Sequence, residues 1–106
     1  MVQIRVRYLS SSIQDFINSL DKRMRIACRK AIVELANNGN ELNMPLSKNI
    51  GDGLFELRIN GTVNIRIIYA FKQNEAWILN VFKKEGNKIP KKEIELAKKR
   101  RNLFLA

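Results

Sequence analysis

The chain has 106 residues, which accommodates one domain over 1–106 with one core burying roughly two-thirds of the unfolded surface. Its 20 Lys plus Arg against 10 Asp plus Glu leave a formal charge of +10, so the expected partner is a polyanion, nucleic acid before an anionic membrane surface. With no histidine in the sequence, imidazole metal sites, Ser-His and Cys-His nucleophile pairs and two-histidine ribonuclease chemistry are excluded.

The carboxylates are too few and scattered for a two-metal nuclease. Asp52 and Glu56 lie near each other, but Asp15, Asp21 and Glu34 belong to other elements. Any nuclease activity is therefore expected to need no metal or other cofactor. No apolar run reaches transmembrane length and there is no leader or lipidation signal, so the expectation is a cytoplasmic protein without a membrane partner. The lone Cys28 is read as a small core residue.

In chain order, Val2 to Tyr8 alternates Val2, Ile4, Val6 and Tyr8 against Gln3, Arg5 and Arg7, which predicts a first strand with one packed face. Ser11 and Gln14 have capping-box spacing ahead of a helix with Ile13, Phe16, Ile17 and Leu20 on one side. A second helix carries Met24, Ala27, Cys28, Ala31, Ile32 and Leu35 as its apolar stripe and stops at Asn37-Asn38-Gly39. The two read as a helical hairpin laid on one face of a sheet. From Asn40 to Gly53 there is little periodicity, and the segment is read as a loop anchored by Met44, Leu46 and Ile50, with Lys48 in it and a turn at Gly51-Asp52-Gly53.

Leu54 to Ile59 sends Phe55, Leu57 and Ile59 to one face and Glu56 and Arg58 to the other. Val63 to Phe71 likewise separates Val63, Ile65, Ile67, Tyr69 and Phe71 from Asn64 and Arg66, which places Tyr69 in the core. A two-residue Asn60-Gly61 loop would put Leu57 opposite Asn64 and mix the faces, whereas a three-residue loop Asn60-Gly61-Thr62 pairs apolar with apolar and makes Glu56 and Arg66 direct partners. Glu56, Arg58 and Arg66 then share an open sheet face. A solvated face with an ordinary exposed ion pair, contributing little to stability, would carry the same pattern.

Ala76 to Phe82 is apolar on both faces and is read as a central strand, with Trp77 in the core. An even loop before it brings Lys83 to the arginine face, and an odd loop brings Lys84. Pro90 then opens a third helix with Glu93 and Glu95 early and Lys98 to Arg101 late, matching the helix dipole. Residues 83–101 hold nine Lys or Arg against three Glu, the densest cationic segment of the chain. A merely solvated helix would look similar.

Together the elements predict an α+β fold: a small, mostly antiparallel four-stranded sheet with an N-terminal helical hairpin and a C-terminal helix. That order, with Lys48, the segment GDGLFELR from Gly51 to Arg58, Arg66 and Tyr69, FKK from Phe82 to Lys84, then Pro90, Glu93-Ile94, Ala97 and a basic residue at Arg100 or Arg101, resembles the RelE/ParE superfamily of type II toxins, and within it the phage-derived HigB-like branch.

The resemblance implies a ribosome-dependent, metal-independent mRNA endoribonuclease that inhibits translation. The ribose 2′-hydroxyl would attack the adjacent phosphate, and a cognate antitoxin, expected to be a small helix-turn-helix protein, would inhibit the toxin. Carried onto this chain, it places catalytic roles on Arg58, Arg66, Lys83 and Lys84. The arginines would bind the scissile phosphate and a lysine would serve the leaving group. Glu56, paired with an arginine, is read as positioning rather than as a base. Lys48, Lys88, Lys91, Lys92, Arg100 and Arg101 are the candidate RNA contacts. Two other readings fit the same fold or charge: a ParE-like inhibitor of DNA gyrase, and a basic nucleic-acid or antitoxin-binding module without catalysis.

Overall fold

The structure, a computed structural model, describes residues 3–105. Its elements are β1 (Arg5–Tyr8), α1 (Ser11–Ser19), α2 (Lys22–Asn38), a 3-10 turn (Gly39–Glu41), β2 (Ser47–Gly51), β3 (Leu54–Asn60), β4 (Asn64–Lys72), β5 (Glu75–Lys84) and α3 (Lys91–Phe104). One sheet orders the strands β1-β5-β4-β3-β2; β1 runs parallel to β5 and the remaining pairs are antiparallel. The fold is thus α+β with a mixed sheet of five strands, one more than expected. The added strand is β2, inside the segment read as a loop. Its sequence SKNIG has no apolar alternation because it forms an edge whose residues are mostly exposed. β1 is shorter than expected at four residues, and Val2 lies outside the described residues.

Local signals account for the helices. The α1 cap is Ser10, one residue before the capping box suggested, with its Oγ accepting from the Ser12 N–H at 3.1 Å. Asp21 caps α2 by accepting from the Met24 N–H at 2.9 Å, and Gly39, at φ 56°, ends it. Both helices bury the predicted side: Ile13, Ile17, Met24, Cys28, Ala31 and Leu35 pack on Leu57, Ile59, Ile65, Ile67 and Tyr69 of the sheet. Cys28 is fully buried, and burial pushes its thiol up to about 11. Tyr69 is core as expected, its hydroxyl sharing a 2.5 Å hydrogen bond with Ser47 of β2.

The opposite face holds a second core: Leu54, Ile68, Ala70, Leu79 and Phe82 under Ala97 of α3 and Leu105. α3 therefore covers part of the face expected to be open. Its far end is tied to the β2–β3 turn, where Asp52 Oδ2 takes Arg101 Nη2 at 3.2 Å and Lys98 Nζ at 3.7 Å. Trp77 is only partly buried at the edge of this core, with the Arg7 guanidinium 5.6 Å from its ring centre.

Two registers position the site. The β3–β4 loop has three residues, the expected parity, but it is Gly61-Thr62-Val63: Asn60 faces Asn64, Arg58 faces Arg66, and Glu56 faces Ile68. The direct Glu56–Arg66 pairing is therefore replaced by an arginine pair. A two-residue offset keeps every side chain on its face, so apolar matching could not separate the two registers. Gly61 packs against α2, where a β-carbon would come within 2.6 Å of Met24 Sδ. The β4–β5 turn is an even two-residue loop, Gln73-Asn74, with positive φ at both positions. The register shifts between Ile68 and Tyr69: Tyr69 faces Ile78 but Ile68 faces Asn80, leaving Leu79 as the extra residue. The bulge reverses the parity that the even loop would give, so Arg66 faces Phe82, Asn64 faces Lys84, and Lys84 rather than Lys83 joins the arginine face.

Candidate functional site

Where the second core ends, the same sheet face becomes polar. Lys48 of β2 stands opposite Glu56, Glu56 opposite Ile68 and Ile68 opposite Asn80; one row on, Arg58 faces Arg66; beyond that, Asn60 faces Asn64 and Asn64 faces Lys84. Residues opposite one another share a face, so these side chains converge. Four of them, Lys48, Glu56, Arg58 and Lys84, line a cleft of about 500 Å³, together with Asn49 and Ile50 of β2, Asn87, Lys88 and Ile89 from the segment before α3, and Ile94 from its first turn. Four basic side chains line it against one carboxylate. Asn80, buried on β5, donates to the Glu93 carbonyl at 3.1 Å and so fixes the α3 wall against the sheet.

The charges beneath the cleft are unusually dry. Glu56 and Arg66 are each 3% exposed. Arg66 Nη1 donates to Asn60 Oδ1 at 2.9 Å and to the Ile65 carbonyl at 3.0 Å, while its Nε has no partner. Burial lowers the pKa of Arg66, Glu56 raises it in part, and Arg58 lowers it further. An arginine starts so high that this side chain stays cationic at neutral pH. Glu56 Oε1 lies 3.8 Å from Arg58 Nε, an ion pair too long for a hydrogen bond, and both Glu56 Oε2 and Arg58 Nε lack hydrogen-bond partners. Arg58 Nη1 meets only the weak acceptor Sδ of Met44, at 3.8 Å. The Arg58 guanidinium, with its side chain 30% exposed, thus reaches the cleft with its donors largely unspent. A group holding hydrogen-bonding capacity in reserve beside a cationic cleft is suited to receive an oxyanion.

The other sequence candidates divide. Lys48, Glu56, Arg58, Lys84 and Lys88 line the cleft. Arg66 lies below it. Lys83 faces Ile65 on the helical-hairpin side of the sheet and pairs with Glu85 at 3.7 Å. Lys91 and Lys92 are exposed at the start of α3 without lining the cleft. Arg100 donates to the Leu79 carbonyl at 2.6 Å, and Arg101 is held by the side chain and carbonyl of Asp52, so both serve the seat of α3. Asn60 and Asn80 were not singled out from sequence as site residues. Asn60 sits in a turn dipeptide that explains itself without a site, and the face of Asn80 depends on the bulge. Among the described residues no group of three or more Cys, Asp or Glu is placed to hold a metal ion, and no helix is long and apolar enough to cross a membrane.

No curated protein matches the sequence. The family model described as phage derived protein Gp49-like (DUF891) matches residues 15–102, from the middle of α1 to the last turn of α3, and so spans every residue of the cleft. By that match and this architecture, the chain belongs to the Gp49-like family of RelE/HigB-like toxins.

Proposed function

We propose that this protein is the toxin of a type II toxin-antitoxin pair and cuts ribosome-bound mRNA by attack of a ribose 2′-hydroxyl on the adjacent phosphate. The observation that carries the reading is the cleft in which Arg58, with unspent donors, stands among Lys48, Lys84 and Lys88 over the buried charge of Arg66. In the step, the 2′-hydroxyl gives its proton to water as its oxygen bonds to phosphorus, and the bond to the 5′-oxygen breaks as that oxygen is protonated, giving a 2′,3′-cyclic phosphate and a 5′-hydroxyl. Negative charge builds on the phosphoryl oxygens, and Arg58 stabilises it by donating its unspent N–H groups. Arg66, nearly sealed from solvent, acts from behind as a fixed charge whose effect is strengthened by its dry surroundings. Lys84 faces the leaving oxygen and supplies or shares its proton. Glu56 keeps the two guanidinium groups in place. A single carboxylate among the lining residues is no donor set for a metal pair, so the chemistry is assigned to the cations.

Such a set lacks a strong base, which makes in-line positioning of the message by the ribosome the main source of rate. Translating ribosomes and mRNA are the partners of the cleft. The antitoxin is a small helix-turn-helix protein that offsets or covers the cationic surface.

The test is cleavage in a purified translation system, with naked mRNA alongside and Arg58→Ala and Lys84→Ala compared with wild type. The expected result is cutting only on ribosome-bound message, falling about 10²–10³-fold in Arg58→Ala, the return from one oxyanion donor. Message left intact by the wild-type protein overturns the nuclease reading and turns attention to gyrase inhibition and to non-catalytic binding.

A further inference from the structure

The cleft is not cationic throughout. Lys48, Arg58, Lys84 and Lys88 line it, but three isoleucines, Ile50 of β2, Ile89 before α3 and Ile94 in the first turn of α3, give it an apolar wall continuous with the second core. All three are only partly buried, their inner sides packed on the second core. Phosphate binding has no use for such a wall. A nucleotide has one anionic end and one flat, weakly polar end, and a cleft of about 500 Å³ lies in the size range of small-molecule sites. The two surfaces of this cleft match those two ends.

We infer that Ile50, Ile89 and Ile94 form a nucleobase-binding wall, which holds one unstacked base of single-stranded RNA while the neighbouring phosphate lies on Arg58 and Lys84. Aliphatic side chains offer no hydrogen-bond code, so the wall senses the area of the base face and not its edge, and purines gain more than pyrimidines. A base can reach the wall only when it is free of a helix, which restricts the site to single strands. Ile89 lies outside the regular elements and Ile94 in the first turn of α3. The spacing between wall and cations is therefore set by the Asn80 bond that anchors that turn to β5.

The inference rests on the cleft being an RNA site, and the experiment separates the two. Binding of the full chain to two short single-stranded 2′-O-methyl RNAs, one bearing adenines and one abasic throughout, is followed by fluorescence anisotropy at low salt. The methyl group blocks 2′-attack, so binding is read without cleavage. The adenine strand is expected to bind about fivefold tighter than the abasic strand, the low end of what a base returns on an aromatic side chain, because the aliphatic wall offers contact area without a π-face. Ile89→Ala should remove that difference, Ile89→Leu should keep it, and Arg58→Ala should weaken both strands alike. Equal affinity for the two strands, or a preference that survives Ile89→Ala, overturns the wall and leaves the phosphate site standing. Failure of the protein to bind either strand overturns the wall as a site for free single strands, while the nuclease reading is decided separately by cleavage of ribosome-bound message.

Discussion

The two ends of one sheet face differ more than the two faces do. At the α3 end, Leu54, Ile68, Ala70 and Leu79 are closed over by Ala97 and Leu105, with every side chain in apolar contact. A few residues along the same strands, Glu56 and Arg66 are just as deeply buried, yet each has a polar atom without a hydrogen-bond partner. Burial at the first end contributes stability in proportion to the apolar area removed from water. At the second it costs free energy, because dehydrated charges are incompletely matched. The difference teaches that depth alone does not mark a core. What marks this site is buried polar capacity left unspent at the wall of a cleft.

Breaking the apolar end should have the largest effect. Ile68→Ala is expected to lower stability by about 2–5 kcal/mol, read from urea unfolding, because a fully buried aliphatic side chain leaves a cavity. Arg66→Met at the polar end should change stability by less than about 1.5 kcal/mol, since Glu56 retains Arg58 as its ion partner. The same variant should slow cleavage roughly tenfold or more, the effect of a unit charge several ångströms from the phosphate at an effective dielectric near 20. If Arg66→Met unfolds as readily as Ile68→Ala, the contrast between the two ends fails.

The hairpin side of the sheet sharpens the comparison through pH. Cys28 has its thiol raised from 9.0 to about 11 by burial, so the folded state resists deprotonation more than the unfolded state does. Its contribution is complete below pH 9.0 and is lost as pH rises toward about 11, on the order of 2 kcal/mol. Burial raises Tyr69 too, and this acts in the same direction. Cys28→Ala should flatten the alkaline fall of the unfolding midpoint, and an unchanged profile would remove the thiol from the account. The smallest effect is expected at the rim: Lys84→Ala should leave stability within about 0.5 kcal/mol while lowering the salt-dependence slope of RNA binding by about one.

Much of the site was legible because face parity is a local property. Alternation along β3 and β4 isolated Glu56, Arg58 and Arg66 from their apolar neighbours, and the structure keeps them on one face. The same alternation also carried a warning: Leu54, Ile68 and Ala70 lie on that face and are apolar, which is the imprint of α3. Lys48 gave no such signal, because an edge strand with exposed residues has no periodicity to read. Lys84 was open between two loop parities, and neither parity by itself was sufficient. The loop is even, and the bulge at Leu79 reverses its consequence. Arg100 and Arg101 looked like part of a cationic surface, yet their guanidinium groups are engaged by the Leu79 carbonyl and by Asp52.

By itself the sequence determined the helices, three of the five strands nearly in full, the odd hairpin loop and the division of side chains between faces. Each of these follows from periods of 3.6 or 2 and from caps and turns that act over a few residues. Only the tertiary structure decided which residues stand opposite one another, whether Lys83 or Lys84 enters the cleft, and how deeply Arg66 is buried. A two-residue register offset leaves parity unchanged, a bulge reverses it, and burial depends on what α3 covers. Those outcomes are settled by packing between segments far apart in the chain.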